Sequence, residues 1–243
     1  LGQALAHGPR AVMLSFGAEA PFAREIKDAG AALICQVQTV EMARRAADLG
    51  ADVIVAQGTE AGGHGGTRAT LPLVPEVVDA VGPIPVVAAG GIGDGRGLAA
   101  ALMLGAAGVM VGTRFYAATE ALAHANAKKR LAAETGDHTD RSSVADAARG
   151  IDWPEDFTIR TLSNKLTDRY SGHEDDLRAA DTKVRAAYFD AVSRGDFDTA
   201  VVIAGEAAGL VADVVPAAAI VERMVADAID AVVGGPERYL RLT

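Results

Sequence analysis

Five short apolar runs alternate with amphipathic segments in the first half of this chain, and this alternation restricts its fold more than any other feature. The runs are rich in Val, Ile and Ala and span residues 11–15, 32–36, 52–57, 85–89 and 108–112. Such runs, bounded by glycine or polar residues and separated by helical patterns, are typical of buried parallel strands in βα units. Gly30, Gly50 and Gly105 each come shortly before a run, where glycine can adopt the left-handed conformation that ends a helix. The sequence therefore predicts an α/β fold with repeated β-α order.

The number of these units predicts part of a barrel. A TIM-type (β/α)8 barrel needs eight strands, and the chain offers about five βα units. We therefore expect the run at 108–112 to be the eighth strand of such a barrel, with the first three units lying upstream of Leu1.

The second half of the chain predicts a helical addition to this partial barrel. After Phe115 we expect helices over 119–133 and 181–193, a loop-like segment over 135–153, and no strand before 201–204, a run that is either a strand or helical. After Pro216 a final helix is expected, because apolar residues recur there every four positions; they are Ile220, Met224, Ala228 and Val232. The predicted parts are a partial barrel over 1–118, a helical region or lid over 119–215, and a C-terminal helix over 216–243 that packs back on the barrel.

Composition and charge exclude several classes of partner. Half of the 243 residues are apolar and the formal net charge is −9, so the chain can form a core but lacks a broad basic face for nucleic acid or an anionic membrane. No apolar run approaches the ~18 residues of a membrane span. The single cysteine, Cys35, cannot form a disulfide within the chain and is expected to pack in a strand. These features favour a cytoplasmic location.

Two glycine-rich strand ends predict a phosphate site. Gly90-Gly91 and Gly112-Thr113 follow runs separated by one helix, so in a barrel they lie on neighbouring strands at the same rim. Glycine lets the backbone approach an anion, its amides donate to phosphate oxygens, and a threonine adds a hydroxyl. One Gly-Gly pair alone is equally well explained as a tight βα turn. Two neighbouring ends with this pattern favour the phosphate.

His64 is the candidate general base. It lies in the glycine-flanked loop Glu60-Ala61-Gly62-Gly63-His64-Gly65-Gly66, just beyond a predicted strand. An imidazole can take a proton from a weakly acidic carbon and return it, whereas the alternative is a structural or surface histidine. Glu60 either orients His64 or caps the following turn. The other histidines have no partners at ligand spacing, so we expect no metal site.

Other polar and aromatic side chains leave alternatives open. Gln36 and Gln57 end consecutive strands, where an amide either bonds the edge of a flavin ring or simply finishes a strand in water. Arg114 pairs either with phosphate or with an acidic neighbour, and Asp94 fits the N-cap of the following helix. Trp153 either lines a substrate entrance or packs against the barrel, and packing is favoured.

These stretches resemble the nitronate monooxygenase family, formerly called 2-nitropropane dioxygenases, which are FMN-dependent TIM-barrel enzymes. The similar stretches are 57–64, 86–97, 104–106 and 110–115, together with 205–211, 216–218 and 220–222 near the C-terminus. The resemblance implies that His64 is the active-site histidine and that the flavin contacts are Gln36, Gln57 and Gly62, with Gly91, Met110, Val111, Gly112 and Thr113 around its phosphate. The family's first glycine-rich strand and its asparagine-bearing third strand have no counterpart here.

The implied reaction is the oxidation of alkyl nitronates, such as propionate 3-nitronate, with O₂ through FMN to a carbonyl compound and nitrite. His64 would deprotonate a neutral nitroalkane or hold the anionic nitronate. The expected partners are a small nitronate and O₂, with a homodimer as the assembly to consider. FMN-dependent enoyl-acyl-carrier-protein reductases, which need NAD(P)H, share the Glu-Ala-Gly-Gly-His loop and are the first alternative. The second is a non-catalytic fragment, or a subunit that needs a partner to complete its barrel.

Overall fold

A computed structural model describes residues 1–17, 20–179 and 182–239 of the chain. The strands are β1 Ala11–Ser15, β2 Ala32–Val37, β3 Val53–Gln57, β4 Gly63–Gly65, β5 Val86–Ala89, β6 Gly108–Met110, β7 Thr139–Ser142 and β8 Thr158–Leu162. The helices are α1 Gly2–Leu5, α2 Ala20–Asp28, α3 Val40–Asp48, α4 Thr70–Val81, α5 Gly95–Met103, α6 Thr113–Tyr116, α7 Ala125–Leu131, α8 Val144–Arg149, α9 Lys165–Tyr170, α10 Glu174–Ala179, α11 Thr182–Arg194 and α12 Ala217–Tyr239. Short 3-10 helices lie at Gly136–His138 and Glu206–Leu210.

The chain divides into two compact units. The first comprises Leu1–Thr59, Thr67–Ala89 and Leu98–Met110. The second comprises Glu60–Gly66, Gly90–Gly97 and the chain from Val111 onward. The three-part division at residues 118 and 215 stays a prediction.

The first unit is a parallel sheet in the order β1-β2-β3-β5-β6. Every pair in it is parallel, and the connections between its successive strands contain the helices α2, α3, α4 and α5, as parallel strands require. Leu33 and Ile54 are fully buried in the sheet, and Val77 of α4 is equally buried. Gly30, Gly50 and Gly105 have φ values of +75°, +79° and +90°, so glycine does end the helices there. The predicted α/β barrel-type fold with about five βα units is confirmed.

The second unit contains a small antiparallel sheet in the order β4-β8-β7. His64 pairs with Ile159 across β4 and β8, and Ser142 pairs with Ile159 across β7 and β8. Helices from the same unit bury an apolar cluster that includes Val144, Leu166 and Tyr188. The loop that contains His64 is therefore an edge strand of a sheet.

The sequence predicted no strand between Phe115 and residue 200 and a loop over 135–153. Both predictions were wrong. The structure has β7 and α8 in that segment and β8 after it. β7 has the polar sequence Thr-Asp-Arg-Ser, which lacks any apolar alternation, and it is ordered through long-range pairing with β8. Ile159, Thr161 and Leu162 of β8 are buried, but its two apolar residues are three positions apart, so the sequence Thr-Ile-Arg-Thr-Leu shows no period-2 apolar alternation.

The remaining helices differ from prediction mainly in their bounds. The helix predicted from residue 119 begins only at Ala125, where the His124 side chain accepts a hydrogen bond from the Asn126 N–H and caps the helix. Thr119 lies before the helix and donates its N–H to the Val215 carbonyl. Residues 201–204 form no strand, although Val202 and Ala204 are buried. The predicted helix at 181–193 corresponds to α11, and its first predicted residue lies outside the described residues.

The C-terminal helix α12 follows Pro216 as predicted. Ile220, Met224 and Ala228 are buried, whereas Val232, predicted for the same face, is 42% exposed. A Cβ on Gly95 would lie 2.5 Å from the Met224 carbonyl oxygen, so glycine at position 95 allows α12 to approach the backbone of the second unit closely there. Within the described part of the chain, no helix combines the length and the apolar character needed to cross a bilayer.

Candidate active site

Three glutamine side chains meet at the ends of β2 and β3 in the first unit. Gln36 and Gln38 each donate an Nε2 hydrogen bond of 2.8 Å to Oε1 of Gln57. All three side chains are buried, and Gln38 is only 1% exposed. Oε1 of Gln38 has no hydrogen-bond partner among the described residues, and a buried acceptor left in this state costs about 1–3 kcal/mol. The cluster therefore holds an acceptor that suits an N–H donor from a ligand.

Gln38 was missed by the sequence reasoning, although a signal for it was present. Side chains at alternate positions of a strand point to the same face, so Gln36 and Gln38, separated by Val37, share one side of the chain. The structure brings both of them to Gln57, which was predicted.

The two glycine turns differ in their backbone conformation. Gly90 and Gly91 have φ values of +103° and +71°, which L side chains adopt only with strain. Gly112 has a φ of −98°, and a Cβ placed on it would meet no atom within 4 Å. The first turn thus needs glycine for its own conformation, while the second has open space beside its backbone. Met110 ends β6 and Val111 follows it, both half-buried.

The loop that contains His64 is fixed by hydrogen bonds from Arg141 of β7. The Arg141 guanidinium donates to the carbonyl oxygens of Ala61 at 2.8 Å, Gly65 at 3.2 Å and Thr158 at 2.6 Å. Burial, with a smaller contribution from the positive charge of Arg160, lowers the pKa of Arg141 to about 10. The guanidinium is therefore charged at neutral pH, and it holds both ends of the His64 loop against β8.

Glycine-rich segments of the second unit converge at a contact between Glu60 and Gly205. The Glu206 N–H donates to the Glu60 carbonyl at 2.9 Å, and the Gly205 N–H donates to Thr113 Oγ1 at 2.9 Å. A Cβ on Gly91 would lie 3.4 Å from Glu60 Cβ. The loop of His64, the Gly90-Gly91 turn and the Gly112-Thr113 turn are thus connected through short contacts within one unit.

Gly62 has a structural reason to be glycine. A Cβ on Gly62 would lie 2.5 Å from the Ala204 carbonyl carbon and 2.6 Å from the Gly205 nitrogen. The two backbones approach more closely than any side chain would permit. This packing explains the residue without a ligand, and the flavin contact of Gly62 stays a prediction.

The imidazole of His64 is held by two side chains of the second unit. Nε2 of His64 lies 2.9 Å from Oδ2 of Asp146, whose side chain is only 4% exposed. The ring stacks on Trp153 with 3.9 Å between centroids and 18° between planes. Oδ1 of Asp146 accepts a 2.8 Å hydrogen bond from Arg149. Sequence reasoning missed Asp146, because it lies 82 positions from His64 along the chain and no local pattern connects them; Glu60 was the candidate it considered.

Two alternatives left open by the sequence are resolved by the geometry. Arg114 forms its ion pair with Asp213, whose second oxygen accepts a hydrogen bond from Arg223, so the acidic neighbour is its partner. Asp94 accepts hydrogen bonds from the N–H groups of Arg96 and Gly97 at 3.0 and 3.4 Å, as expected of a residue that caps α5.

A cavity of about 530 Å³ opens beside Asp146 and Trp153 within the second unit. Its lining includes the further carboxylates Asp152, Glu155 and Asp175. Arg178 lines it as well, so four carboxylates, including that of Asp146, face one guanidinium, and an anionic ligand is disfavoured. Among the described residues, no group of three or more His, Cys, Asp or Glu side chains is arranged to hold a metal ion.

The fold and this loop define a class of protein, an α/β enzyme of the barrel type with a histidine in a glycine-rich loop beyond one strand. The family model described as nitronate monooxygenase matches residues 3–227. The chain therefore belongs to the nitronate monooxygenase family. The enzymes of this family are oxidoreductases. This confirms the family resemblance read from the sequence.

Individual known proteins are also similar to the chain. A nitronate monooxygenase of Neurospora crassa is 38% identical over 207 residues, which are 80% of this chain and 53% of that protein. The structure of FabK from Thermotoga maritima has a TM-score of 0.79 at 29% identity and covers 94% of this chain and 70% of that one. The structure of a nitroalkane oxidase from Streptomyces ansochromogenes has a TM-score of 0.77 at 28% identity, and the match covers 91% of this chain and 65% of that one. The chain spans about a quarter to a half of the length of its curated relatives.

Proposed function

We propose that this chain is part of an FMN-dependent nitronate monooxygenase that oxidises alkyl nitronates, such as propionate 3-nitronate, with O₂ to a carbonyl compound and nitrite. Membership of the nitronate monooxygenase family supports the reaction type. The observation on which the proposal depends most is the convergence of the His64 loop with both glycine turns at Glu60 and Gly205.

Two features, one in each unit and each taken by itself, support a role for FMN. The buried Oε1 of Gln38 has no hydrogen-bond partner among the described residues, and it would accept the ring N–H of the isoalloxazine, with Gln36 and Gln57 at the same edge. The open space beside Gly112 leaves room for a phosphate, which would be held by backbone N–H groups of Gly90, Gly91 and residues 110–113. FMN, when bound, would supply the electron transfer from nitronate to O₂.

The protein's own contribution would be to orient the substrate and to move a proton at His64. A nitroalkane that arrives neutral must lose the proton from the carbon next to its nitro group before it is a nitronate. His64, fixed by Asp146 and Trp153, would accept this proton, and a nitronate that arrives preformed would only need to be held in place.

The test is an assay of the purified protein with added FMN and propionate 3-nitronate. We expect the protein to bind flavin. We also expect it to consume oxygen and release nitrite in equal amounts, without consuming NAD(P)H. The absence of both bound flavin and oxygen uptake would show that the proposal is wrong. A parallel assay with an enoyl thioester and NAD(P)H tests the reductase alternative, and steady NAD(P)H oxidation there would replace the monooxygenase proposal.

A further inference from the structure

We propose that Arg141 is a positioning residue, whose guanidinium fixes the loop of residues 60–66 and thereby sets where His64 lies in the candidate active site. The proposal deepens the proposed function and rests on it. It is argued from contacts within the second unit.

The guanidinium of Arg141 bonds the loop on both sides of His64. Its Nη2 donates to the carbonyl oxygen of Ala61 at 2.8 Å, and its Nη1 donates to those of Gly65 at 3.2 Å and Thr158 at 2.6 Å. Thr158 is the β8 residue that pairs with Gly65. Because the nitrogens of a guanidinium form a rigid planar fork, one side chain sets the distance between the two ends of the loop and β8.

The backbone of the loop is poorly suited to hold one conformation by itself. Four of its seven residues are glycine, the residue that loses the most backbone freedom on folding. Its strand β4 has only three residues and lies at the edge of its sheet, and pairing over so short a stretch stabilises a loop only weakly. The charge-assisted hydrogen bonds of Arg141 therefore contribute much of the order of this loop.

Arg141 is fixed in turn by its sheet. It lies on β7 opposite Arg160 of β8, and the Arg160 guanidinium forms an ion pair of 2.9 Å with Glu206 and a 3.0 Å hydrogen bond to Thr139 Oγ1. The two guanidinium groups repel each other, and the negative charges of Glu60 and Glu206 act against this repulsion at Arg141. An uncharged side chain at position 141 would avoid the repulsion, but it would lose the hydrogen bonds to the loop.

His64 depends on this anchor, because it lies between the two loop carbonyl groups that Arg141 binds. The stack of its ring on Trp153, with 3.9 Å between centroids, and its 2.9 Å contact with Asp146 require the loop to stay in place against β8. A misplacement of about 1 Å at a reacting group can slow a reaction about 100-fold. Loss of the Arg141 hydrogen bonds should therefore move His64 and slow turnover.

Arg141→Lys tests the anchor without removing its charge. Lysine ends in a single nitrogen, so it cannot reproduce the contacts that two guanidinium nitrogens make. Trp153 is the only tryptophan of the chain, and the stacked imidazole covers one face of its indole. We expect quenching of its fluorescence by acrylamide to rise in Arg141→Lys toward the value in His64→Asn, where the stacked ring is absent. Quenching identical to that of the unaltered protein would overturn the proposal.

The matched control is Arg130→Lys. Arg130 is another arginine of the second unit that donates to two backbone carbonyl groups, those of Phe197 and Ser163, and neither belongs to the His64 loop. We expect this variant to keep the quenching of Trp153 and the turnover of the unaltered protein. The same changes in Arg130→Lys as in Arg141→Lys would assign the effect to general loosening of the unit and overturn the role of Arg141.

The kinetic measurement is kcat per bound flavin with a neutral nitroalkane. We expect Arg141→Lys to lower kcat about 10- to 100-fold, as expected of a misplaced reacting group, and to change KM less than about 3-fold. A purely structural role would lower the amount of folded protein and leave kcat per bound flavin unchanged, and this result would overturn the proposal.

A measurement on the unaltered protein separates this proposal from the proposed function, since it needs neither turnover nor a variant. In hydrogen exchange followed by mass spectrometry, we expect the amides of β4 to exchange together with those of β7 and β8, because Arg141 connects the three strands. Exchange of β4 well ahead of β7 and β8 would overturn the proposal, including in a case where Arg141→Lys does not fold. Lack of nitronate oxidation in the unaltered protein would instead refute the proposed function.

Discussion

Replacing Gly205 by alanine tests the contact that holds the candidate site together. The φ of Gly205 is −96°, so the backbone itself accepts an alanine without strain. The added Cβ, however, would lie 2.3 Å from the Glu60 carbonyl oxygen, 2.6 Å from the Gly62 nitrogen and 3.0 Å from the Ala61 carbonyl carbon. All three are backbone atoms, so no side-chain rotation relieves the overlap.

The magnitude follows from the displacement that the overlap forces. Overpacking of a tightly packed position costs about 1–3 kcal/mol. The loop of residues 60–66 resists movement, because Arg141 and β8 hold it. Separation of the backbones also breaks the hydrogen bonds Gly205 to Thr113 and Glu206 to Glu60, each with a net contribution of about 1 kcal/mol. We therefore expect the free energy of unfolding to fall by about 3–5 kcal/mol.

Urea unfolding followed by circular dichroism measures this change, with Gly108→Ala as the control. Gly108 lies in β6, outside the left-handed region, and a Cβ on it would meet no atom within 4 Å. We expect that variant to stay within about 1 kcal/mol of the parent protein. If Gly205→Ala unfolds at the same urea concentration as Gly108→Ala, the close approach between the His64 loop and the segment at 204–206 does not exist in solution, and the convergence of the glycine-rich segments is refuted.

Two further predictions concern Gly112 and Cys35. Gly112→Ala should leave the stability of the flavin-free protein unchanged, since its Cβ meets open space. The added methyl group would fill the space proposed for the phosphate and displace it from a backbone hydrogen bond, so we expect the Kd for FMN to rise about 10- to 100-fold. Flavin fluorescence titration measures this, and an unaltered Kd contradicts the phosphate site. Burial raises the pKa of the Cys35 thiol from 9.0 to about 11, so its contribution to stability is complete below pH 9 and is lost as the pH rises toward 11. Native protein should therefore resist thiol labelling at pH 8, and Cys35→Ala should lose less stability between pH 9 and 11 than the parent; rapid labelling at pH 8 contradicts the burial.

Local patterns were sufficient to predict the parallel sheet. Strands such as β2 and β3 are apolar runs of ordinary length, and a buried parallel strand needs no partner-specific signal to be recognised. The helix ends at Gly30 and Gly50 and the cap at Asp94 also follow from residues close in sequence. Each of these features depends on interactions over a few positions, which one sequence contains.

The small antiparallel sheet and the partner of His64 could not be found in this way. β7 is ordered by its pairing with β8 and by the hydrogen bonds of Arg141 to carbonyl groups, and neither has a sequence period. Asp146 reaches His64 only because α8 follows β7 directly and β4 pairs with β8. The histidine was therefore predictable from its glycine-rich loop, but the residue that orients it was not.

The glycines show why a glycine-rich sequence predicts a site only in outline. Gly91 adopts a positive φ, Gly62 and Gly205 allow two backbones to touch, and Gly112 has neither constraint. A sequence records all four as the same residue, although the first three would be required by the folded chain without any ligand. The folded chain itself does not require glycine at position 112, so a ligand would account for the glycine there. For this reason alanine at position 112 separates ligand binding from folding, whereas alanine at 62, 91 or 205 changes both together.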